Sequence, residues 1–426
     1  MEPTRDRALD LVRAVAIWAV VLGHWMLIAV TETEGTLDGV NALGRLGWTH
    51  PLTWLFQVMP LFFLVGGVVN ATSLARHRQL GGDLAGWVLR RYRRLLVPAS
   101  APLGVLVVAV ALGRAAGVDA DLLGTGAWVA TVPLWFLAAY LAMVALTPAS
   151  VAASRRWGLL VPAAGALVVG LGDVARMTLD DPWMAEGSYL VGWLVVHQLG
   201  VAWQGGRLQA GVRAGLAVAG AGGVALVGLT VLGPYPVSMV AVPGGDLQNT
   251  EPPTLALLAL AVTQAGLLLA AHHRLGWWLR RPRRWAAVAR VQSMVLTLFL
   301  WHMAAAVVAA VALHGTGVFP VEAIGSGRWW LLRLPWLAMC AVVLAALVAA
   351  FARLDDPDRL GPRGTRAGGG ARRWMVTAGA VASVAGMLRI ALAGSGSHGP
   401  LALPTDALVA FGLGVVLLAW ATARAG

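Results

Sequence analysis

Three side chains in the opening apolar run RALDLVRAVAIWAVVLGHW could do acid–base chemistry: Asp10, Arg13 and His24. At 100° per residue, steps of three and eleven residues return each side chain to within about 60° of its predecessor, so all three line one helix stripe. Arg13 and His24 stand about 16 Å apart along that helix at 1.5 Å per residue. Arg can hold an anionic or carbonyl oxygen, and a His of near-neutral pK can take a proton from a hydroxyl. A plainer role fits the same residues. A single His in a helix is commonly a packing residue with its hydrogen bond satisfied, and Asp10 with Arg13 at i, i+3 can neutralise each other near an interface.

A second constellation is RRYRRLLVP, Arg90 to Pro98. Arg91 and Arg94 project from one helix face, where two planar guanidinium groups could clamp phosphate oxygens, and Arg90 with Arg93 make a similar pair one step round. Clustered Arg at the cytoplasmic end of a membrane span also suits topology and anionic lipid headgroups, and spacing alone does not choose between the two. Further along, His302 and Arg333 lie inside apolar runs, where each could line a cavity or hydrogen-bond a neighbouring helix. His272, His273 and His314 sit at the ends of such runs as interface residues, and His50 and His398 fall in loops. No His and carboxylate pair has metal-ligand spacing on one helix, so no metal is expected. There is no Walker loop, dinucleotide fingerprint or G-x-S-x-G elbow.

The elements that carry these residues follow from composition. The 426 residues are 58% hydrophobic and 12% charged, with a mean hydropathy of +0.74, which is more apolar surface than a soluble core can hide. At about 20 apolar residues per span, twelve spans are expected: 8–30, 51–74, 95–113, 127–148, 158–172, 188–204, 214–232, 254–271, 288–313, 329–352, 374–393 and 404–422. The fold class is therefore all-α, a polytopic transmembrane helical bundle. All 32 basic residues are Arg, and the net charge is +12. With a cytoplasmic N-terminus, 25 of them fall in inside segments and four (Arg45, Arg114, Arg176 and Arg328) in outside ones, whereas acidic residues divide six inside and twelve outside. That is the positive-inside pattern with both termini cytoplasmic, and it accounts for the basic balance without nucleic acid. Trp at span ends, among them Trp48, Trp277, Trp278, Trp329 and Trp330, fits an interfacial belt. The first span follows Arg5 and Arg7 as a signal sequence would, but its polar residues and the lack of a small-x-small site mark it as a retained helix. The one cysteine, Cys340, excludes an intrachain disulfide. The expected division is a transmembrane domain over 1–352, a basic Gly-rich linker at 353–373 and two additional helices over 374–426.

Four blocks together resemble the acyltransferase 3 family of integral-membrane enzymes. The opening R-x-L-D-x-x-R-x-x-A-I-x-x-V-x-x-x-H stands at Arg7 to His24 and includes the Arg, ten residues, His arrangement as Arg13 and His24. A Phe-Phe turn into Gly is MPLFFLVGG, Met59 to Gly67. The R-R-x-x-R-L-x-x-P block is Arg90 to Pro98, its Arg-x-x-Arg best matched by Arg91 and Arg94, and an S-x-x-x-x-x-x-L-W-H block is Ser293 to His302. The resemblance implies a ten-helix core over the first ten spans, leaving 353–426 outside. It implies transfer of an acyl group, usually acetyl, from cytoplasmic acyl-CoA to a hydroxyl of a glycan, lipid-linked glycoside or small molecule. His24 would be the catalytic base, with Arg13, beside Asp10, orienting the donor or the His. Arg91 and Arg94, beside Arg90, would hold the phosphates of CoA. His302, Tyr140, Trp135 and Arg333 are further cavity candidates. One block departs from the family pattern: W-S-L-x-x-E reads W-F-L-A-A-Y, Trp135 to Tyr140. Tyr140 thus replaces an acid, and a phenol with a pKa near 10 is no substitute for a carboxylate base at neutral pH.

Two other classes compete with a plasma-membrane enzyme that binds acyl-CoA and an acceptor. A twelve-helix secondary transporter would also carry intramembrane Asp, Arg and His, but its two halves should both show broken helices and polar sites, whereas here the densest polar sites crowd into the first hundred residues. A binding or export partner would keep Arg13 and His24 for structure alone.

Overall fold

The computed structural model describes the chain apart from residues 1–5, 34, 35, 180–186, 318, 356–369, 395, 397, 398 and 424–426. Arg5, Glu34, Asp180, Asp181, Glu186, His398, Arg424 and most of the expected basic linker therefore lie outside the described residues. Eleven helical stretches among the described residues are long and apolar enough to cross a membrane, and they fall on eleven of the twelve expected spans. The chain is an integral, multi-pass helical membrane protein. At the remaining position, 188–204, the structure has a helix of 16 residues, Tyr189–Gln204, about 24 Å long at 1.5 Å per residue.

The helices are α1 (Arg7–Leu27), α2 (Thr53–Phe56), α3 (Met59–Gln79), α4 (Leu84–Ala115), α5 (Ala120–Thr131), α6 (Leu134–Trp157), α7 (Leu160–Thr178), α8 (Tyr189–Gln204), α9 (Val212–Val227), α10 (Leu255–Trp278), α11 (Pro282–Ser293), α12 (Val295–His314), α13 (Gly327–Phe351), α14 (Gly370–Ala391) and α15 (Thr405–Ala423). Two expected spans are broken. Pro133 lacks an N–H and disfavours helical geometry before it, so the run at 127–148 divides into α5 and α6. The run at 288–313 divides at Met294, because 282–293 carries Arg283, Arg284 and Arg290 and forms the separate polar helix α11. The first span ends three residues early, at Leu27, where Ile28–Thr33 (β1) pairs antiparallel with Thr36–Asn41 (β2) in the register Ile28 to Asn41. The β-branched Val30 and Thr31 favour this extended geometry over another helical turn.

The residues group into two compact units. One contains 1–20, 43–73 and 146–292. Within it α9 packs along α10, and α8 packs on α7 and α10. Small residues let these backbones touch, as expected where lipid supplies no hydrophobic drive between helices. A Cβ on Gly200 of α8 would run into the carbonyl oxygen of Leu64 in α3, and one on Gly67 would meet the carbonyl of His197. The Gly67 of the Phe-Phe block is therefore a packing requirement. The coil at 233–254 is fastened to α2 and to Gln57 just after it: Trp54 Nε1 donates to the Val237 carbonyl at 2.7 Å, Gln57 Nε2 to that of Met239 at 2.7 Å, and the Met239 N–H to Thr53 Oγ1 at 2.8 Å. The buried Asp173 of α7 accepts from Tyr235 Oη and from the Leu255 N–H, each at 2.8 Å, which joins that coil to the start of α10.

The other unit contains 21–42, 74–145 and 293–426. Here α12 packs on α13, α4 and α5, while α14 and α15 pair with each other and pack on α4. The 32 residues of α4 make a helix about 48 Å long, longer than a hydrocarbon core of about 30 Å. The polar turns at 84–94, which carry all four arginines of the second constellation, are the part suited to lie beyond that core. Asp83 caps this end, accepting from the Gly86 N–H at 2.8 Å.

Gly200→Ala should be strongly destabilising, since the obstacle is backbone. Thermal unfolding in detergent is expected to drop by more than 5 °C, while Gly220→Ala, whose Cβ meets nothing within 4 Å, should stay within 1–2 °C of the wild type.

Candidate functional site

His24, in the last turn of α1, meets His302 of α12: Nδ1 of the first lies 3.2 Å from Nε2 of the second, with ring centroids 5.1 Å apart. These residues are 278 apart in sequence. His302 is fully buried, and its Nδ1 lies 2.6 Å from the Phe299 carbonyl oxygen. A carbonyl only accepts, so Nδ1 carries the ring proton of neutral His302 and Nε2 offers a lone pair. That lone pair faces His24 Nδ1, which donates to it. Neutral His24 then keeps its own lone pair on Nε2, the nitrogen on the far side of the ring.

Tryptophans hold this pair in place. Trp25, next to His24 and buried, donates from Nε1 to the His302 carbonyl at 2.8 Å. Trp336 of α13 donates to the Trp25 carbonyl at 2.8 Å. Arg333, one turn earlier on α13, donates from Nη1 to the Ile28 carbonyl at 2.7 Å, with its guanidinium 4.3 Å from the Trp329 ring centroid and 5.5 Å from that of Trp336. A cation at the C-terminal end of α1 opposes the negative end of the helix dipole.

The W-F-L-A-A-Y block reaches the same neighbourhood through rings. Phe136 lies 6.0 Å from Trp135, 5.8 Å from Tyr140 and 5.2 Å from Phe299, and Phe299 lies 5.9 Å from His302. Tyr140 thus stands two rings away from His302 on an aromatic wall. Phe136, Phe299, Trp25 and Trp336 were not singled out from sequence. With 20 Trp and eight Phe in the chain, no spacing rule marks the ones that meet across helices.

On α4, Arg90 and Arg91 are half-buried and Arg94 is exposed. The Arg91 guanidinium lies 5.9 Å from the Trp87 ring centroid. Arg94 acts electrostatically on Asp355, whose carboxylate accepts from the Thr297 N–H at 3.0 Å at the start of α12. Three cationic side chains on a capped, membrane-exceeding helix end can take up phosphate oxygens.

Asp10 and Arg13 belong to the first-described unit. Arg13 Nη1 lies 3.9 Å from Asp10 Oδ1, a long contact, so the two do not form a tight ion pair. The Asp10 carbonyl accepts from Gln292 Nε2 at 2.7 Å, and Arg7 donates to the Leu279 carbonyl at 3.0 Å while covering Trp285. The start of α1 is thereby docked on α11, with Ala14, Leu279 and Val288 buried between them. Asp6 caps it, accepting from the Ala8 and Leu9 N–H groups at 3.0 and 3.2 Å, and its other oxygen lies 2.8 Å from His272 Nε2.

The family model of the acyltransferase 3 family, described as an acyltransferase domain, matches residues 6–353. No curated protein and no solved structure matches the chain. The matched stretch contains every candidate residue from Asp10 to Arg333 and ends before α14.

Burial pushes the Asp6 pKa up, but the His272 hydrogen bond and ring, with the Leu9 and Ala8 N–H groups, outweigh it and bring the carboxyl below its ordinary 3.8. A depressed pKa contributes stability above the unfolded value, and that contribution is lost as pH falls through the folded one. The difference in melting temperature between wild type and Asp6→Asn should therefore shrink below about pH 4; a difference that widens on acidification would contradict this.

Proposed function

We propose the following reaction for this chain, which belongs to the acyltransferase 3 family and is a membrane acyltransferase. The donor is an acyl-CoA, with acetyl the expected acyl group, entering from the cytoplasm, and the acceptor is a hydroxyl of a glycan, lipid-linked glycoside or small molecule. Nε2 of His24 takes the hydroxyl proton as the hydroxyl oxygen bonds to the thioester carbonyl carbon. The carbon–sulfur bond of the resulting tetrahedral intermediate breaks, the acyl ester remains on the acceptor, and the CoA sulfur leaves with the proton returned by the imidazolium. His302 is a positioning residue that fixes the His24 tautomer and stabilises the transient imidazolium by accepting from Nδ1.

The observation that carries this reading is the contact between His24 Nδ1 and His302 Nε2, combined with the Phe299 carbonyl behind it. A packing histidine needs one partner; an oriented base needs its second nitrogen fixed so that the first points one way. Arg91 and Arg94, with Arg90, hold the CoA phosphates at the polar end of α4. By the family resemblance Arg13, with Asp10 beside it and eleven residues before His24 on the same helix, orients the donor or the His. Short outside segments, about 20 residues at most by the expected spans, favour an acceptor that reaches into the bundle, at a site in the plasma membrane.

Free CoA released by the purified protein in nanodiscs from acetyl-CoA tests both assignments. Wild type should turn over slowly without acceptor. His24→Ala should lose at least 100-fold while still binding acetyl-CoA, and Arg91→Ala with Arg94→Ala should weaken donor binding at least tenfold. Absence of acetyl-CoA binding by wild type would overturn the donor assignment, and undiminished turnover by His24→Ala would overturn the base.

A further inference from the structure

Three buried nitrogens around the start of α13 have no hydrogen-bond partner among the described residues: Nε of Arg333, Nε1 of Trp329 and Nδ1 of His314. Arg333 is 6% exposed and Trp329 2%. They are four residues apart on α13, hence on one face, and the guanidinium lies 4.3 Å from the Trp329 ring. His314, at the end of α12, is close enough for the Arg333 charge to act on it. The guanidinium has five N–H donors, and its hydrogen bond among the described residues is the one to the Ile28 carbonyl. It forms no ion pair there, and the nearest carboxylate along the chain, Glu322, is engaged by Arg328 at 3.3 Å.

A buried cation surrounded by tryptophan and lacking a counter-charge is unfavourable in an apolar setting, where such groups are normally matched by an anion. The Ile28 bond and the two tryptophan faces hold the guanidinium still, so its remaining donors are preorganised. The group that satisfies the orphan donors of Arg333 and Trp329 is an acceptor of two hydrogen bonds bearing negative charge.

We propose that Arg333 and Trp329, with His314 at the rim, bind an oxyanion, a carboxylate or phosphate carried by the acyl acceptor. Resting on the acyl-transfer reading above, this makes the acceptor an acidic one. Ile28, which Arg333 grips, follows His24 by four residues, about 6 Å of rise at 1.5 Å per residue. That is the span between a sugar hydroxyl and an acidic group on the same or the adjoining unit. The same chemistry can come from a sugar carboxylate or from the phosphate of a lipid carrier.

The test uses the full chain in phosphatidylcholine nanodiscs, titrated calorimetrically with D-glucuronate and D-glucose, and a parallel thermal-unfolding series in which phosphatidylglycerol replaces part of the lipid. Glucuronate should bind saturably and glucose should not if the source is a sugar carboxylate. If it is a lipid phosphate, phosphatidylglycerol should raise the melting temperature instead. In either arm, Arg333→Lys and Trp329→Phe should weaken the effect at least tenfold or abolish the shift, with acetyl-CoA affinity unchanged. Trp329→Phe removes the N–H and keeps the ring, so the comparison survives should Arg333→Lys not fold. No response to either probe, or a response that the folded variants share with wild type, overturns the proposal. Acetyl-CoA titrated into the same samples separates this failure from a failure of the donor assignment, in which acetyl-CoA itself is not bound.

Discussion

A buried imidazole cannot leave both of its nitrogens to chance, and the candidate site follows from how His302 resolves that constraint. With water excluded, Nδ1 must find an acceptor, and the Phe299 carbonyl three residues earlier on its own helix provides one at 2.6 Å. This local bond decides which nitrogen faces His24 and, through the contact between the rings, which nitrogen of His24 is basic. The catalytic assignment thus rests on a backbone carbonyl in α12 as much as on the histidine itself.

The surrounding structure reads as consequences of keeping that pair aligned. Trp25 and Trp336 pass hydrogen bonds along the chain of carbonyls from His302 to α1, each satisfying a buried indole N–H that would otherwise be costly. Arg333 grips the residue at which α1 becomes β1, so the helix ends at a fixed place one turn beyond His24. The arginines on α4 need no such enclosure, because that helix is long enough to carry them out of the hydrocarbon.

Much of this was legible in the sequence, for definable reasons. Spans are recoverable because a bilayer demands about 20 apolar residues whatever the neighbours are. The stripe of Asp10, Arg13 and His24 is recoverable because helical geometry is local. His302 and Arg333 stood out as polar residues in apolar runs, but their partners did not. The contact between His24 and His302 joins residues 278 apart, and no periodicity encodes it. The same holds for Phe136 and Phe299, ordinary aromatics until α6 and α12 are placed together. The sharper misses were local competitions: Pro133 dividing an apolar run, arginines detaching α11 from α12, and β-branched residues ending α1 at Leu27 rather than at residue 30. Tyr140, read as a departure from an acidic position, belongs to an aromatic wall, where a phenol packs as a carboxylate would not.

The most direct test of the account is the protonation of two ring nitrogens. In 15N-histidine NMR of the protein in nanodiscs, with His24 and His302 assigned among nine histidines through their Gln variants, the neutral form of both rings should carry its proton at Nδ1, with the lone pair of His24 on Nε2. Substituting His302 should release His24 into a mixture of tautomers. A His24 protonated at Nε2 in the wild type, or one whose tautomer is indifferent to His302, would contradict the central claim.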